Sequence, residues 1–226
     1  MQQNDEALTS YLSGFVSDRR KLRLEEVLAE RMRHMTVVLE DVYQAHNASA
    51  VLRSCDCFGV QDVHFIENKH SFKISEDVSM GSTQWLNIKK YNQHENNTIE
   101  CLKELKNKGY RIVATTPHKN DKTISELDIT KPFALVFGTE ITGITKDVFG
   151  MADEFVKIPM YGFTESFNIS VSAALCMYEL TTRIREAKIK YQLSAAEKEE
   201  IYLEWLKASI NRSDLIIKEF LSKKSS

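Results

Sequence analysis

The chain has 226 residues, of which 42% are hydrophobic and 27% are charged, and its formal net charge is −2. This composition is typical of a globular protein with a sizeable core. The sequence contains no run of eighteen apolar residues, so we expect no membrane-spanning helix. The first residues lack the basic start and apolar stretch of a signal peptide, so we expect a cytoplasmic protein. The charge gives no overall signature of nucleic-acid binding.

In chain order, the apolar and charged patterns predict two helices over 5–33, a strand at 37–39, a helix near 46–58 and a strand at 63–66. After a polar loop over 67–85 they predict an extended segment at 86–88, a helix over 98–108, and strands at 111–115 and 133–137. They then predict a short helix over 145–150, a strand at 155–158, a long helix from Asn168, and helical sequence over 194–221.

Short apolar strands that alternate with helices favour an α/β fold with a parallel sheet covered on both faces. The strands stop near residue 187. We therefore expect an N-terminal helical extension over 1–35, an α/β core over 36–186 and a C-terminal helical extension over 187–226.

Several classes of site are excluded by missing motifs. Neither the Gly-x-Gly-x-x-Gly dinucleotide pattern nor a P-loop occurs, and no Gly-x-Ser-x-Gly turn indicates a serine hydrolase. The four cysteines lack paired Cys-x-x-Cys spacing, and the histidines lack His-Glu-x-x-His spacing. We expect no metal site.

Three segments carry the remaining chemistry, because ligands of open α/β sheets bind where the strands end. The first runs over 47–59. Helical spacing places its apolar residues on one face and Arg53 on the opposite face, with Asn47 at the helix start. A plain helix cap at Asn47 and a solvent-exposed Arg53 are the alternative interpretation.

The second segment directly follows the strand at 133–137. Gly138 and Gly143 surround Glu140 there, and glycines permit a backbone to approach a ligand closely. An ordinary turn between strand and helix is the alternative. In the third segment, over 158–174, Ser166 and Asn168 are suitable helix caps, and small residues after them allow close packing. Capping alone would also explain that pattern.

Taken together and in order, N-x-x-A-x-x-R, F-G-x-E-x-x-G and I-P-M-x-G-x-x-x-S-x-N-x-S-V-x-A-A resemble the three motifs of the SPOUT 2′-O-ribose methyltransferases. The resemblance covers residues 36–186. It implies a SPOUT fold, in which a C-terminal trefoil knot completes the α/β core, and S-adenosylmethionine as cofactor. It also implies a homodimer that methylates a ribose 2′-hydroxyl in RNA.

The resemblance also implies roles for individual residues. The adenosyl pocket would be lined or shaped by six of them: Thr115, Gly138, Gly143, Ile158, Met160 and Phe167. Arg53 and Asn47 would act at the ribose, supported by Glu140, Ser166 and Asn168. Because an arginine pKa exceeds about 12, we expect Arg53 mainly to stabilise the developing alkoxide and to anchor a phosphate. A role as general base stays open.

The helical extensions indicate which RNA is modified. A core of this family with short helices at both ends resembles the TrmH group, which methylates guanosine 18 in the D-loop of tRNA. Another tRNA or ribosomal RNA nucleotide, or a non-catalytic RNA-binding module of the same fold, are the alternatives. Arg183 and Arg185 lie one position away from an arginine pair of the family, which leaves their contact with RNA open.

Overall fold

The computed structural model describes residues 2–71, 81–117, 121–139 and 143–224. These residues form two compact units. One is Met32–Tyr191, and the other combines Met1–Arg31 with Gln192–Ser226. The three-part division expected from the sequence stays a prediction.

Within the described residues of Met32–Tyr191, seven strands form one sheet. They are β1 (Met35–Glu40), β2 (Asp62–Ile66), β3 (Asn87–Tyr91), β4 (Arg111–Thr115), β5 (Lys122–Thr123), β6 (Phe133–Phe137) and β7 (Glu154–Lys157). Their order across the sheet is β3-β2-β1-β6-β4-β7-β5, and every neighbouring pair is parallel. The predicted α/β class with a parallel sheet is confirmed. The two-residue strand β5 was too short to be predicted from a periodic pattern.

The helices follow the predicted order along the chain. They are α1 (Gln2–Ser13), α2 (Asp18–Ala29), α3 (Ala45–Phe58), α4 (Asn97–Asn107), α5 (Lys146–Met151), α6 (Ile169–Glu186), α7 (Ala195–Ser209) and α8 (Ser213–Lys224). Two 3₁₀ turns, Ser82–Trp85 and Ile124–Glu126, complete the regular structure of the described residues. None of the described helices is both long and apolar enough to cross a membrane.

Both faces of the sheet are buried, because successive side chains of a strand point to opposite faces. In β1, Val37 and Leu39 join a cluster that includes α3 and α6, whereas Val38 joins a second cluster with α4. The central strands β1 and β6 are therefore buried along their whole length, and β6 is apolar throughout, as expected for a sheet covered on two sides.

Helix α3 presents its apolar face to the first cluster. Ala48, Val51, Leu52 and Cys55 are fully buried, and the Cys55 Sγ lies 3.7 Å from the Met177 Sδ of α6. The helix ends where Gly59 adopts φ of 78°, a left-handed conformation that glycine adopts without strain. Packing of α3 on α6 brings the first and third motif segments to the same side of the sheet.

The helical unit has its own small core. Buried side chains come from three of its helices: Leu12, Leu24, Leu28, Ile201, Trp205 and Leu206. The guanidinium of Arg31 stands 5.2 Å from the centre of a Trp205 ring, and the arginine is almost fully buried. Helix α7 begins with a capping box, in which Ser194 and Glu197 satisfy each other's backbone amides.

Candidate active site

A cleft of about 610 Å³ lies at the carboxyl ends of β4, β6 and β7. All six residues that the resemblance assigns to the cofactor line this cleft, together with Asn47, Ser166 and Asn168. The remaining lining residues are Gln44, Thr116, Pro117, Phe137, Thr139, Ile144, Phe149, Val156, Ile169, Ser172 and Cys176. Residues from the three motif segments are thus gathered around one opening at the position where α/β sheets bind ligands.

The backbone around Gly138 is packed so tightly that no side chain would fit. A Cβ on Gly138 would come within 2.3 Å of the Gly143 carbonyl carbon. Thr139 and Gly143 form an isolated bridge, with hydrogen bonds from Thr139 N to Gly143 O (2.9 Å) and from Gly143 N to Thr139 O (3.1 Å). Gly143 itself has φ of 69°. Both glycines are therefore needed for the loop geometry, beyond the needs of an ordinary turn.

A side-chain hydrogen bond joins the first and third motif segments. Asn168 Nδ2 donates to Asn47 Oδ1 at 3.1 Å, and Asn47 Nδ2 donates to Gln44 Oε1 at 3.2 Å. The Asn168 Oδ1 accepts from the backbone N–H of Ser170 (2.9 Å) and from its hydroxyl (2.6 Å), which caps α6. The predicted cap at Asn168 is present.

Asn47 does not cap its helix. The N-cap position of α3 is Gln44, and Asn47 lies inside the first turn. Only 4% of the Asn47 surface is exposed to solvent. Its amide therefore serves the contact to Asn168 instead of the helix end. The alternative interpretation of Asn47 as a plain cap is wrong.

The wall formed after β7 is apolar and partly open. Ile158 packs against the main core, and Phe167 is 43% exposed at the cleft. On the opposite side the Thr115 hydroxyl donates to Val136 O at 3.0 Å, and Thr116 N donates to Val156 O at 2.9 Å. These bonds fix the ends of β4, β6 and β7 relative to one another, so the cleft has a preformed shape.

Cys176 lies at the cleft but is not suited to act as a nucleophile. Burial raises the pKa of its thiol to about 12, so the thiol is protonated at neutral pH. In the described ranges no group of three or more His, Cys, Asp or Glu side chains could hold a metal ion. The part of the cleft lining that the structure describes therefore offers shape, backbone groups and amides rather than a charged catalytic cluster.

Four residues that the sequence analysis considered lie away from the cleft or cannot be placed. Arg53 is exposed on the outer face of α3 and is not among the described residues that line the cleft. Glu140 lies outside the described residues. Arg183 donates to Ile124 O and Leu127 O, and Arg185 donates to Phe58 O, so both arginines brace the core's own backbone.

Gln44 and Thr116 line the cleft although sequence reasoning did not single them out. The feature of the sequence that could have indicated them is their position, because each lies within four residues after the end of a strand, where ligands bind. A separate cleft of about 750 Å³ lies in the helical unit, is lined mainly by polar residues of α1 and α7, and contains none of the predicted site residues.

Comparisons with known proteins identify the family of the chain. Residues 34–178 match the SpoU rRNA methylase family. The chain is 42% identical over 205 residues to a tRNA (guanosine(18)-2′-O)-methyltransferase of Borreliella burgdorferi, covering 91% of this chain and 92% of that protein.

Solved structures of methyltransferases also resemble this chain. The A. aeolicus TrmH/SpoU tRNA-modifying enzyme superposes with a TM-score of 0.77 at 33% identity, over 86% of this chain and 98% of that one. The SpoU methyltransferase AviRb of Streptomyces viridochromogenes, solved with AdoMet, shares the fold at 21% identity and a TM-score of 0.60, over 72% and 62% of the two chains. The chain belongs to the SpoU rRNA methylase family.

Proposed function

We propose that the protein transfers the methyl group of S-adenosylmethionine to the 2′-hydroxyl of guanosine 18 in tRNA. The observation that carries the proposal is the gathering of three motif segments around one cleft at the ends of β4, β6 and β7. Family membership and the name of the B. burgdorferi relative support the reaction and its target.

The cleft fits S-adenosylmethionine in size and chemistry. Its volume of about 610 Å³ falls in the usual range of small-molecule sites. Apolar side chains such as Ile158 and Met160 suit the adenine ring, and the close backbone approach at Gly138 leaves amide and carbonyl groups available to polar edges. When bound, the cofactor supplies an electrophilic methyl group on a sulfonium.

The protein's own task is to orient the ribose and to favour loss of its proton. The new O–C bond forms as the S–C bond breaks, and the 2′-hydroxyl proton leaves to solvent or to a base. Asn47 and Asn168, held together by their 3.1 Å hydrogen bond, present a fixed pair of amides at the cleft beside Ser166. A cation close to the developing alkoxide would lower the barrier.

Arg53 is the cation that the resemblance assigns to this step, yet it lies outside the cleft of its own chain. We therefore propose a homodimer in which Arg53 of a second copy reaches the cleft. The outer face of α6 supports this arrangement, because Val171, Leu175 and Tyr178 form an exposed apolar stripe that begins beside Asn168. Such a stripe is typical of an interface between chains.

The trefoil knot belongs to the same proposal. Strand β4 lies between β6 and β7, so the chain must cross β4 after leaving β6 before it adds β7 and continues into α6. This crossing is compatible with a threaded chain end. Glu140 would support the site from the loop between Gly138 and Gly143, and we expect the reaction to take place in the cytoplasm with its tRNA substrate.

The experiment is methylation of unmodified tRNA with labelled cofactor, followed by mapping of the modified nucleotide. We expect one 2′-O-methyl group per tRNA at guanosine 18, and no product with tRNA in which guanosine 18 is replaced by its 2′-deoxy form. Labelling of ribosomal RNA but not of tRNA would contradict the proposed tRNA target, while the proposed 2′-O-methyl transfer would stand. Binding of RNA without any methyl transfer would favour the non-catalytic module.

A further inference from the structure

One buried carboxylate near the cleft has no part in the reaction proposed above. Glu40 is the last residue of β1, and its side chain has no solvent exposure. Within the described ranges it forms no ion pair. Burial raises the pKa of this carboxyl group above its ordinary value, and hydrogen bonds from Thr98 and Thr145 oppose that rise.

Three hydrogen bonds converge on the Glu40 carboxylate. Its Oε1 accepts from the hydroxyls of Thr98 and Thr145, each at 2.7 Å, and its Oε2 accepts from the Thr145 backbone N–H at 3.1 Å. All three groups donate to the Glu40 side chain, so the side chain at this position must act as an acceptor on both of its oxygens. Glutamine has the same shape but would turn an N–H₂ group toward at least one of these donors.

The name cofactor loop is used here for the described residues Gly138 and Thr139 together with 143–145, and Thr145 is the last of them. It is also the N-cap of α5, since its hydroxyl accepts from Val148 N at 3.3 Å while it donates to Glu40. Gly143 and Ile144, directly before it, line the cleft. The start of the loop is fixed by β6, and its end is fixed by Glu40.

A further series of hydrogen bonds connects Glu40 to the rest of the sheet edge. Thr98 accepts from Asn68 Nδ2 at 2.8 Å, and Asn68 N donates to Asp41 Oδ1 at 2.7 Å. The cofactor loop is therefore supported by three segments that are hydrogen-bonded to one another: the end of β1, the residues after β2 and the start of α4. This support consists of polar contacts that a hydrophobic residue at position 40 could not make.

We infer that Glu40 is a positioning residue that holds the cofactor loop in its ligand-binding form by anchoring Thr145. Glu40 does not line the cleft, so it acts on the ligand only through the loop. The inference rests on the proposed function in one respect, namely that the ligand of the loop is S-adenosylmethionine.

The test compares Glu40→Gln with Asp62→Asn in the full chain. Asp62 is a partly buried sheet carboxylate that accepts a hydrogen bond from Asn87 Nδ2 at 3.0 Å and pairs with Arg33 at 2.9 Å. Unlike Glu40, it lies at the first residue of its strand, away from the cleft. By calorimetric titration we expect Glu40→Gln to weaken S-adenosylmethionine binding about tenfold, the effect of losing a hydrogen bond to a charged group. Asp62→Asn should bind like the wild type.

Variants of Thr145 keep the test informative if Glu40→Gln does not fold. Thr145→Ser retains both donors and should bind S-adenosylmethionine like the wild type, whereas Thr145→Val loses one donor and should bind more weakly. In the double variant Glu40→Gln, Thr145→Val the two losses should not add, because they remove the same contact.

Amide hydrogen exchange in the protein without cofactor separates this inference from the proposed function. We expect faster exchange at Gly143 and Val148 in Glu40→Gln and unchanged exchange in Asp62→Asn. If the wild type bound no S-adenosylmethionine, the proposed function would fail while the exchange rates still decided whether Glu40 holds the loop. A folded Glu40→Gln variant with wild-type exchange and affinity would overturn the inference.

Discussion

Asn168 uses the two ends of one amide for two different purposes. Its oxygen caps α6 through the N–H and hydroxyl of Ser170, and its nitrogen donates to Asn47 Oδ1. The cap serves stability, and the contact with Asn47 serves the geometry of the cleft. Because the two ends have different partners, substitutions can separate the two roles.

Asn168→Ser should keep the cap but lose the contact with Asn47, since serine is a good N-cap with a side chain too short to span the gap. We expect unchanged thermal stability and a loss of methyl transfer of about tenfold, the effect of one or two hydrogen bonds. Asn168→Ala, the matched variant, should lose about 1 kcal/mol of stability as well. Thermal unfolding and single-turnover rates measure these effects. Equal activity in wild type and Asn168→Ser would contradict the role of the amide pair.

Arg53 should matter for the chemical step and not for cofactor binding. In the proposed dimer it acts at the ribose, whereas the residues assigned to the cofactor line the cleft of the other chain. For Arg53→Ala we expect kcat to fall by about 10²-fold or more, as for the loss of one donor to a developing oxyanion. The Kd for S-adenosylmethionine should not change. Arg53→Lys should recover part of the rate, since it keeps the charge. Full activity of Arg53→Ala would remove Arg53 from the mechanism.

At the scale of elements, the described residues of the cofactor loop are tightly held. Hydrogen bonds between Thr139 and Gly143 close it, and Gly138 stands against the backbone of Gly143 and Ile144. No rotamer change could relieve a clash there, because the atoms that a new Cβ would meet are backbone atoms.

Gly138→Ala should therefore distort the loop and weaken S-adenosylmethionine binding by about tenfold or more, as expected for overpacking of one methyl group. Gly162→Ala is the matched control in the third motif segment, where a Cβ would meet nothing within 4 Å. That control should bind the cofactor like the wild type. The measurement is calorimetric titration, and normal binding by Gly138→Ala would show that the loop can open without cost.

At the scale of the whole molecule, the apolar stripe of α6 predicts association of two chains. Tyr178 is 62% exposed, and Val171 and Leu175 lie on the same face. Leu175→Lys should produce a monomer by light scattering and abolish methyl transfer, because the cleft would then lack Arg53. Leu22→Lys, at another exposed leucine, is the control and should leave the mass unchanged.

Mixing two impaired variants provides the complementary test of the dimer. The Arg53→Ala chain retains an intact cleft, and the Gly138→Ala chain retains Arg53. If each active site combines two copies, a mixture of the two variants should regain part of the wild-type rate. Absence of any recovery from an exchanging dimer would mean that each cleft works with its own arginine.

The pH dependence of stability should depend strongly on Glu104. Partial burial alone would raise the pKa of this carboxyl, but hydrogen bonds from Lys108 and Lys89 outweigh that effect and lower the pKa to about 2. A carboxylate with a lowered pKa stabilises the folded state above its unfolded pKa near 4.5, and this contribution disappears as the pH falls toward 2. Glu104→Gln should therefore flatten the decline of the unfolding free energy over that window. Replacing both lysines by methionine should have the same effect, and an unchanged slope in both variants would contradict the role of Glu104.

Much of the fold follows from local sequence alone. The strands at Val37–Leu39 and Phe133–Phe137 are apolar runs between polar segments, and Asn168 marks the start of α6, so short-range periodicity and capping are sufficient to predict them. The family resemblance of the three motifs named nine residues that line the cleft, but it also assigned Arg53, which the described lining does not include.

Only the tertiary structure decided which side chains meet. The hydrogen bond between Asn47 and Asn168 joins residues 121 positions apart, and the burial of Glu40 depends on Thr98 and Thr145 from distant segments. The sequence determined the motif residues and the strands, since these depend on neighbours along the chain. The strand order, and with it these pairings and the exposed position of Arg53, depends on long-range packing that no local pattern encodes.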